Sequence, residues 1–314
     1  MGHFLLRRTG QALAVLFGVS VIVFVMIHLL PGGPARAMLG DRATPAKIAA
    51  FNREYGYNRP LPVQYLRWTA DLFQGDLGYS VKLNEPVLTL IGQRLPGDVV
   101  LVGFANAFAL LIAIPLGMLQ AFRRNRIADY VATGFSFVFY SMPIFWLGLI
   151  LVVLFAVQLH LFQPIVPQAS IGQLLLHPSD IALPIITLTL VTIALFSRYV
   201  RSSTIEALTQ DWVRAVRAKG FGELLLASRH VLRNAVGPVV TLVGLTLPVV
   251  VGGAVVVESV FNYPGMGLLL WNAAQDEDYP VILGVTLVVA VATVVGSLLA
   301  DILYAVIDPR VRVQ

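Results

Sequence analysis

The side chains in this sequence that could make or break bonds are few and poorly spaced for it. The five histidines, His3, His28, His160, His177 and His230, never recur at the His-x-x-x-His interval that sets two imidazoles on one helix face around zinc. Lys47, Lys82 and Lys219 are followed by Ile48, Leu83 and Gly220, so no Gly-x-x-x-x-Gly-Lys-Ser/Thr loop is present to cradle a nucleotide's phosphates. Cysteine is absent, which removes thiolate catalysis, thiolate metal ligation and disulfides together. No metal site and no cofactor are expected in the chain itself. Among the carboxylates, Asp98, Asp129 and Glu258 border long apolar runs, and Asp301 lies deepest in one. Ion-coupled carriers place such groups within the bilayer. Asp301 falls in the last two turns of its run, which suits snorkelling or helix packing better than a proton relay. No nucleophile and base converge inside the runs, so an intramembrane enzyme is not indicated. If this chain moves solute against a gradient, another chain must supply the energy.

The apolar runs that would position these groups dominate the sequence. Of 314 residues, 57% are hydrophobic and only 12% are charged. Soluble domains carry roughly 25% charged residues, so this surface is suited to lipid. A helix needs roughly 20 apolar residues to cross the hydrocarbon core. Six stretches qualify: 11–30, 99–122, 130–159, 181–200, 236–257 and 281–306. The expected fold is therefore all-α, with six transmembrane helices. The formal net charge is +5, but the basic residues flank the spans and form no single stripe, which argues against a nucleic-acid partner.

Lys and Arg also predict orientation. Arg7 and Arg8 precede the first span, Arg123, Arg124 and Arg126 join the second to the third, and Arg310 and Arg312 follow the sixth. Seven basic residues, Arg198, Arg201, Arg214, Arg217, Lys219, Arg229 and Arg233, lie around the connection between the fourth and fifth. Connections 162–180 and 258–280 have none. Both termini are thus expected in the cytoplasm. Arg7-Arg8, the apolar run and Ala35-Arg36-Ala37 mimic a signal peptide, but a run of about 20 residues is longer than a cleaved one needs, and an uncleaved anchor is expected. The predicted organisation is a first segment and span at 1–30, a mixed-charge external subdomain at 31–98, and a five-helix core at 99–314. That subdomain, with Tyr65, Trp68 and Tyr79, suits either a docking lid or a structural cap.

The connection 201–235 carries the most informative pattern. It contains Asp211-Trp212-Val213-Arg214-Ala215-Val216-Arg217-Ala218-Lys219-Gly220, then Arg229-His230-Val231-Leu232-Arg233-Asn234-Ala235. Asp211 can cap a short helix and Gly220 can end it with a positive φ. Ala215 and Ala218 are small enough to admit a partner closely, while Arg214, Arg217 and Lys219 hold the element at the membrane face. Spacing alone leaves two readings open: an interfacial helix on anionic lipid, or a docking helix for a cytoplasmic protein.

This segment resembles the Glu-Ala-Ala coupling loop of ATP-binding cassette importer permeases. With Gly220 on that family's glycine, Leu232 falls on its leucine and Arg214-Ala215-Val216 on Glu-Ala-Ala, where only Ala215 matches. The segment is more similar to the version in the dipeptide/oligopeptide/nickel branch, Asp-Tyr-Val-Arg-x-Ala-Arg-Ala-Lys-Gly followed by Arg-His-x-Leu-Arg-Asn-Ala. Trp212 and Val216 are substitutions within it. Other segments resemble the same branch in order: Leu30-Pro31-Gly32-Gly33-Pro34 (with Gly33 in place of Asp), Pro60–Tyr65, Gly75–Ser80, Phe261–Gly267, Asp278-Tyr279-Pro280 and Tyr304–Arg310. The long segment after the first span resembles the first of the branch's two paired permeases.

The resemblance implies a pore-forming subunit of a bacterial-type cytoplasmic membrane importer. A second homologous permease, two ATP-binding subunits that hold ATP and magnesium, and an external solute-binding protein would complete it. Its implied coupling residues are Asp211, Trp212, Arg214, Ala215, Arg217, Ala218, Lys219 and Gly220, supported by Leu232, Arg233 and Asn234. Asn106, Ser141, Pro143, Gly252, Gly253 and Glu258 are candidates for the translocation path, although polar and small residues in spans also serve helix packing. Pro115, Pro143, Pro184 and Pro248 could kink spans. Peptides lead as substrates, with nickel chelates and glutathione-like peptides behind. An ion-driven carrier is the rival outside the family.

Overall fold

A computed structural model describes residues 2–30, 32–40 and 43–307, without the side chains of 2–6, 37, 234, 238, 240, 241, 247 and 300–307. Expectations placed on the side chains of Asn234 and Asp301, and on residues 308–310 of the C-terminal signature, lie outside that description.

Helix α1 (Gly2–Leu29) is followed by three shorter helices, α2 (Gly33–Leu39), α3 (Pro45–Glu54) and α4 (Leu61–Phe73). Each short helix has a proline in its first turn, where the missing N–H costs nothing. A two-residue antiparallel hairpin, β1 (Tyr79–Ser80) and β2 (Glu85–Pro86), leads into α5 (Val87–Phe122). α5 thus starts well ahead of the expected 99. At 1.5 Å per residue it is about 54 Å long, more than a bilayer core requires. Leu90 and Ile91 are buried in its first turns, so tertiary packing extends the helix through Pro96 and the polar Arg94 and Asp98.

The third expected span is broken. Helix α6 (Ile127–Ser141) and α7 (Ile144–Leu151), which continues as a π-helical turn over Val152–Gln158, meet at 104°. Pro143 is the cause. It lacks an amide N–H, and it forces Met142 into an extended conformation with φ −78° and ψ 130°. After α8 (Ile171–Leu176), α9 (Pro178–Leu208) runs unbroken through Pro184.

Then come α10 (Asp211–Ala218), α11 (Glu223–Leu225), which passes into a π-helical turn over Leu226–Val231, and α12 (Leu232–Ala235). The fifth expected span is divided among α13 (Gly237–Gly244), α14 (Leu247–Gly252) and α15 (Val255–Phe261). Gly253, at φ +78°, ends α14 in a conformation that glycine adopts without strain. α16 (Met266–Gln275) and α17 (Tyr279–Ile307) complete the chain. Among the described residues, four helices are long and apolar enough to cross a membrane, or six segments if each bent pair counts as one span.

The chain forms two compact units. The first comprises residues 1–99, 248–255 and 264–295. Its core joins Val87, Leu90 and Ile91 of α5 to Met266, Leu269 and Ala273 of α16 and Val281 and Val285 of α17. The second comprises 100–247, 256–263 and 296–314. Ala109 and Ala113 of α5 pack there on Ile193, Phe196 and Val200 of α9. Gly117 permits this approach: a Cβ at that position would lie 2.6 Å from the Ser197 carbonyl.

Candidate functional site

The pattern between α9 and α13 folds into a small anchored outcrop of the second unit. Its anchor is Val213, fully buried with Leu226, Val231 and Ala207, while Trp212, Val216, Met118 and Phe122 pack around them. The helical period leaves the rest of α10 outside. Asp211, Arg214, Ala215, Arg217, Ala218, Lys219 and Gly220 are exposed, and Trp212 is half-buried. Phe221 and Leu224 beside them are 40% and 85% exposed, so the outward surface mixes small, basic and apolar groups.

Local interactions shape this surface. Gly220 has φ +80° and donates its N–H to the Arg217 carbonyl at 2.9 Å, so it ends α10 as the sequence predicts. The start differs from expectation. Gln210 is the capping residue, with extended backbone and no side-chain cap, and Asp211 is the first helical residue. An aspartate there still faces the positive end of the helix dipole. Asp211 pairs with Arg214 at 3.5 Å, and Arg217 Nε donates to Glu223 Oε1 at 3.0 Å, bracing α10 against α11. Leu232 is half-buried, Arg233 is exposed, and the Ser203 hydroxyl donates to the Ala235 carbonyl at 3.1 Å.

A second cluster, missed at the sequence level, fixes α6 to α9. Asp129 accepts from Arg201 Nε and Nη2, both at 2.9 Å, from the Asn125 amide at 3.1 Å and from the Thr133 hydroxyl at 3.1 Å. Beyond it, Ser136 and Ser197 share a hydrogen bond of 3.3 Å, and the Arg198 guanidinium lies 4.7 Å from the Tyr140 ring centroid. The signal was present as a carboxylate at one span border and an arginine at another, but nothing in the spacing joins them.

The candidate path residues occupy several different environments. Asn106 is buried and donates to the Thr246 hydroxyl at 3.3 Å, a helix-packing contact. Ser141 and Pro143 are exposed at the α6–α7 elbow. Glu258 is fully buried in α15. Gly252 lets α14 approach α17, since a Cβ there would lie 3.0 Å from Val289, and Gly253 supplies the break that follows.

Several signature segments prove to be packing devices of the first unit. Gln64 is buried, sits 2.8 Å from His28 Nε2 through its Oε1, and donates to the carbonyls of Tyr57 and Arg59. The Ser80 hydroxyl donates to Asp278, which joins two signatures far apart in sequence. Asp98 accepts the Met266 amide at 2.6 Å and so holds the start of α16.

The chain matches known membrane components along nearly its whole length. Residues 113–313 match the family described as binding-protein-dependent transport system inner membrane component, and residues 1–102 match the N-terminal region of such membrane components. The chain is similar to an oligopeptide transport system permease protein of Bacillus subtilis, at 39% identity over 99% of this chain and 100% of that protein. It is 41% identical to a putative peptide permease protein of Brucella suis, over the full length of both. A dipeptide transport system permease protein of Escherichia coli K12 is 35% identical over 99% of each chain. A solved structure of the MetNI methionine ABC transporter in inward-facing conformations shares the fold, with a TM-score of 0.56 and 16% identity, covering 70% of this chain and 97% of that one.

Proposed function

The chain belongs to the family of binding-protein-dependent transport system inner membrane components, and from that premise we propose that it is one of two pore-forming permeases of a di- and oligopeptide importer. In this reading each bent helix pair is one span, giving six, with both termini in the cytoplasm. A second homologous permease completes the pore. An extracytoplasmic binding protein delivers peptide, and two partner subunits hold ATP and magnesium and perform the hydrolysis. The peptide assignment is supported by the names of the full-length relatives.

The observation that carries the mechanism is the form of α10. Val213 ties it to the body of the second unit, while Ala215 and Ala218 face outward with Phe221 and Leu224. A short rigid helix held this way transmits displacement. ATP-driven closure of the partner subunits would move it and shift the permease between inward- and outward-facing populations.

Reconstituting the complete importer with Ala218→Glu tests this. A bulky charge on the small outward face is expected to abolish peptide uptake while the complex stays assembled in the membrane and ATP turnover loses its response to peptide-loaded binding protein. Unchanged uptake would remove α10 from the coupling path. Uptake of labelled di- and oligopeptides and of nickel, in cells lacking the gene and in complemented cells, tests the substrate. Restoration of nickel uptake alone would overturn the peptide reading.

A further inference from the structure

The first unit contains a cavity of about 420 Å³ that the coupling mechanism does not use. That volume lies within the range of small-molecule sites. Its walls differ in chemistry. Val23 and Ile27, near the end of α1, and Leu283 and Leu287, in the first turns of α17, line one part with aliphatic carbon. Both helices are candidate membrane spans. Another part is built from the 54–76 segment, which lies outside every candidate span, and carries Glu54, Tyr57, Trp68, Asp71, Asp76 and Arg67.

The polar lining carries three carboxylates, Glu54, Asp71 and Asp76, and one guanidinium, Arg67. Asp76 spends Oδ1 on the Gly78 amide at 2.8 Å, and no ion pair among the described residues ties Asp71, Asp76 or Arg67. Burial pushes the pKa of the Tyr57 phenol above its usual value, and the charges of Asp71 and Asp76 push it up further, so both carboxylates project negative potential onto that ring. Trp68 offers the aromatic face best suited to an ammonium group. Arg67 provides the planar fork that grips a carboxylate or phosphate.

We infer that this cavity binds an amphiphilic zwitterion: its ammonium group between Asp71, Asp76 and the Trp68 ring, its anionic group on Arg67, and its apolar body against α1 and α17. Two sources share that chemistry, a short apolar peptide and a phosphatidylethanolamine headgroup with its acyl chain. The inference rests on the geometry of the first unit and stands independently of the proposed transport role, which the uptake experiment tests separately.

The test uses the full chain purified in detergent with its co-expressed partners. Radiolabelled leucyl-leucine is titrated by equilibrium dialysis. Phosphatidylethanolamine is followed by native mass spectrometry, with phosphatidylglycerol, which lacks an ammonium group, as control. At least one zwitterion is expected to bind saturably, once per copy of this chain, while phosphatidylglycerol does not compete for the site. Binding of leucyl-leucine alone identifies a peptide site, and binding of phosphatidylethanolamine alone identifies a lipid site. Asp71→Asn/Asp76→Asn should weaken binding about tenfold, the order expected when charge-assisted contacts are lost. Asn keeps the Oδ1 that accepts from Gly78, and both positions are exposed, so folding should be preserved. Trp68→Leu should weaken it too, as a check that does not alter charge. Absence of saturable binding by both zwitterions, or affinity unchanged in both variants, would overturn the inference.

Discussion

The second unit holds two charged clusters of similar composition and opposite character. At α10, Asp211 and Arg214 pair at 3.5 Å with side chains 95% and 82% exposed. At the α6–α9 contact, Asp129 pairs with Arg201 at 2.9 Å, and the aspartate side chain is only 3% exposed. Water competes fully for the first pair, so it adds little to the fold. Removing one partner of the second leaves a desolvated charge without compensation. Exposure therefore separates charges that hold the protein together from charges free to meet another surface, and sequence shows both only as polar residues beside apolar runs.

The largest expected effect is at the buried pair. Asp129→Ala strands Arg201 and leaves the Asn125 amide and Thr133 hydroxyl without their acceptor. The cost should be about 3 kcal/mol, the low end for a broken buried pair because Arg201 keeps 29% of its side chain exposed. Asp129→Leu/Arg201→Met, which removes both charges, should be clearly less damaging. Thermal unfolding of the purified chain in detergent reads the difference. Equal losses in the single and double variants would show that the pair is no tighter than a surface one.

An intermediate effect is expected where the exposed cluster is anchored. Val213→Ala removes two buried methyl groups from the contact with Leu226 and Val231, a loss of about 2 kcal/mol including the cavity. Hydrogen exchange should quicken across 207–231 and leave α6 and the first turns of α9 unchanged. Acceleration in α6 as well would mean that the two clusters form one cooperative unit.

The contrast also marks what sequence could and could not reveal. Lipid solvation imposes long apolar runs, so α1, α9 and α17 are visible as composition. Gly220 is legible because only a residue free of Cβ strain ends a helix easily at φ +80°. Pro143 announces a break, yet the 104° turn depends on what α7 packs against, such as Phe261 on Gly148. The early start of α5 is hidden because Leu90 and Ile91 acquire their partners from α16 and α17. Asp129 and Arg201 are 72 positions apart, and no local rule joins them. The Gly75–Ser80 and Asp278–Pro280 signatures could be noticed individually, but only the fold brings Ser80 to Asp278.

The smallest expected effect concerns the start of α10, where the cap falls one residue before Asp211. Helix caps take extended backbone, and Gln210 has it, with φ −73° and ψ 147°. Its side chain makes no cap, so the first amides of α10 rely on solvent and on the field of Asp211. Gln210→Asp places a short acceptor at the correct position and adds charge at the positive end of the helix, and should stabilise α10 by roughly 0.5–1 kcal/mol. Asp211→Asn removes the charge at the positive end of the helix and should lower stability only slightly, by less than Gln210→Asp raises it, since that side chain faces water. Hydrogen exchange at residues 212–214 distinguishes the two, because slower exchange is expected only in Gln210→Asp. If Asp211→Asn instead frays the helix, the exposed cluster contributes to folding as the buried one does, and the distinction between them fails at its weakest point.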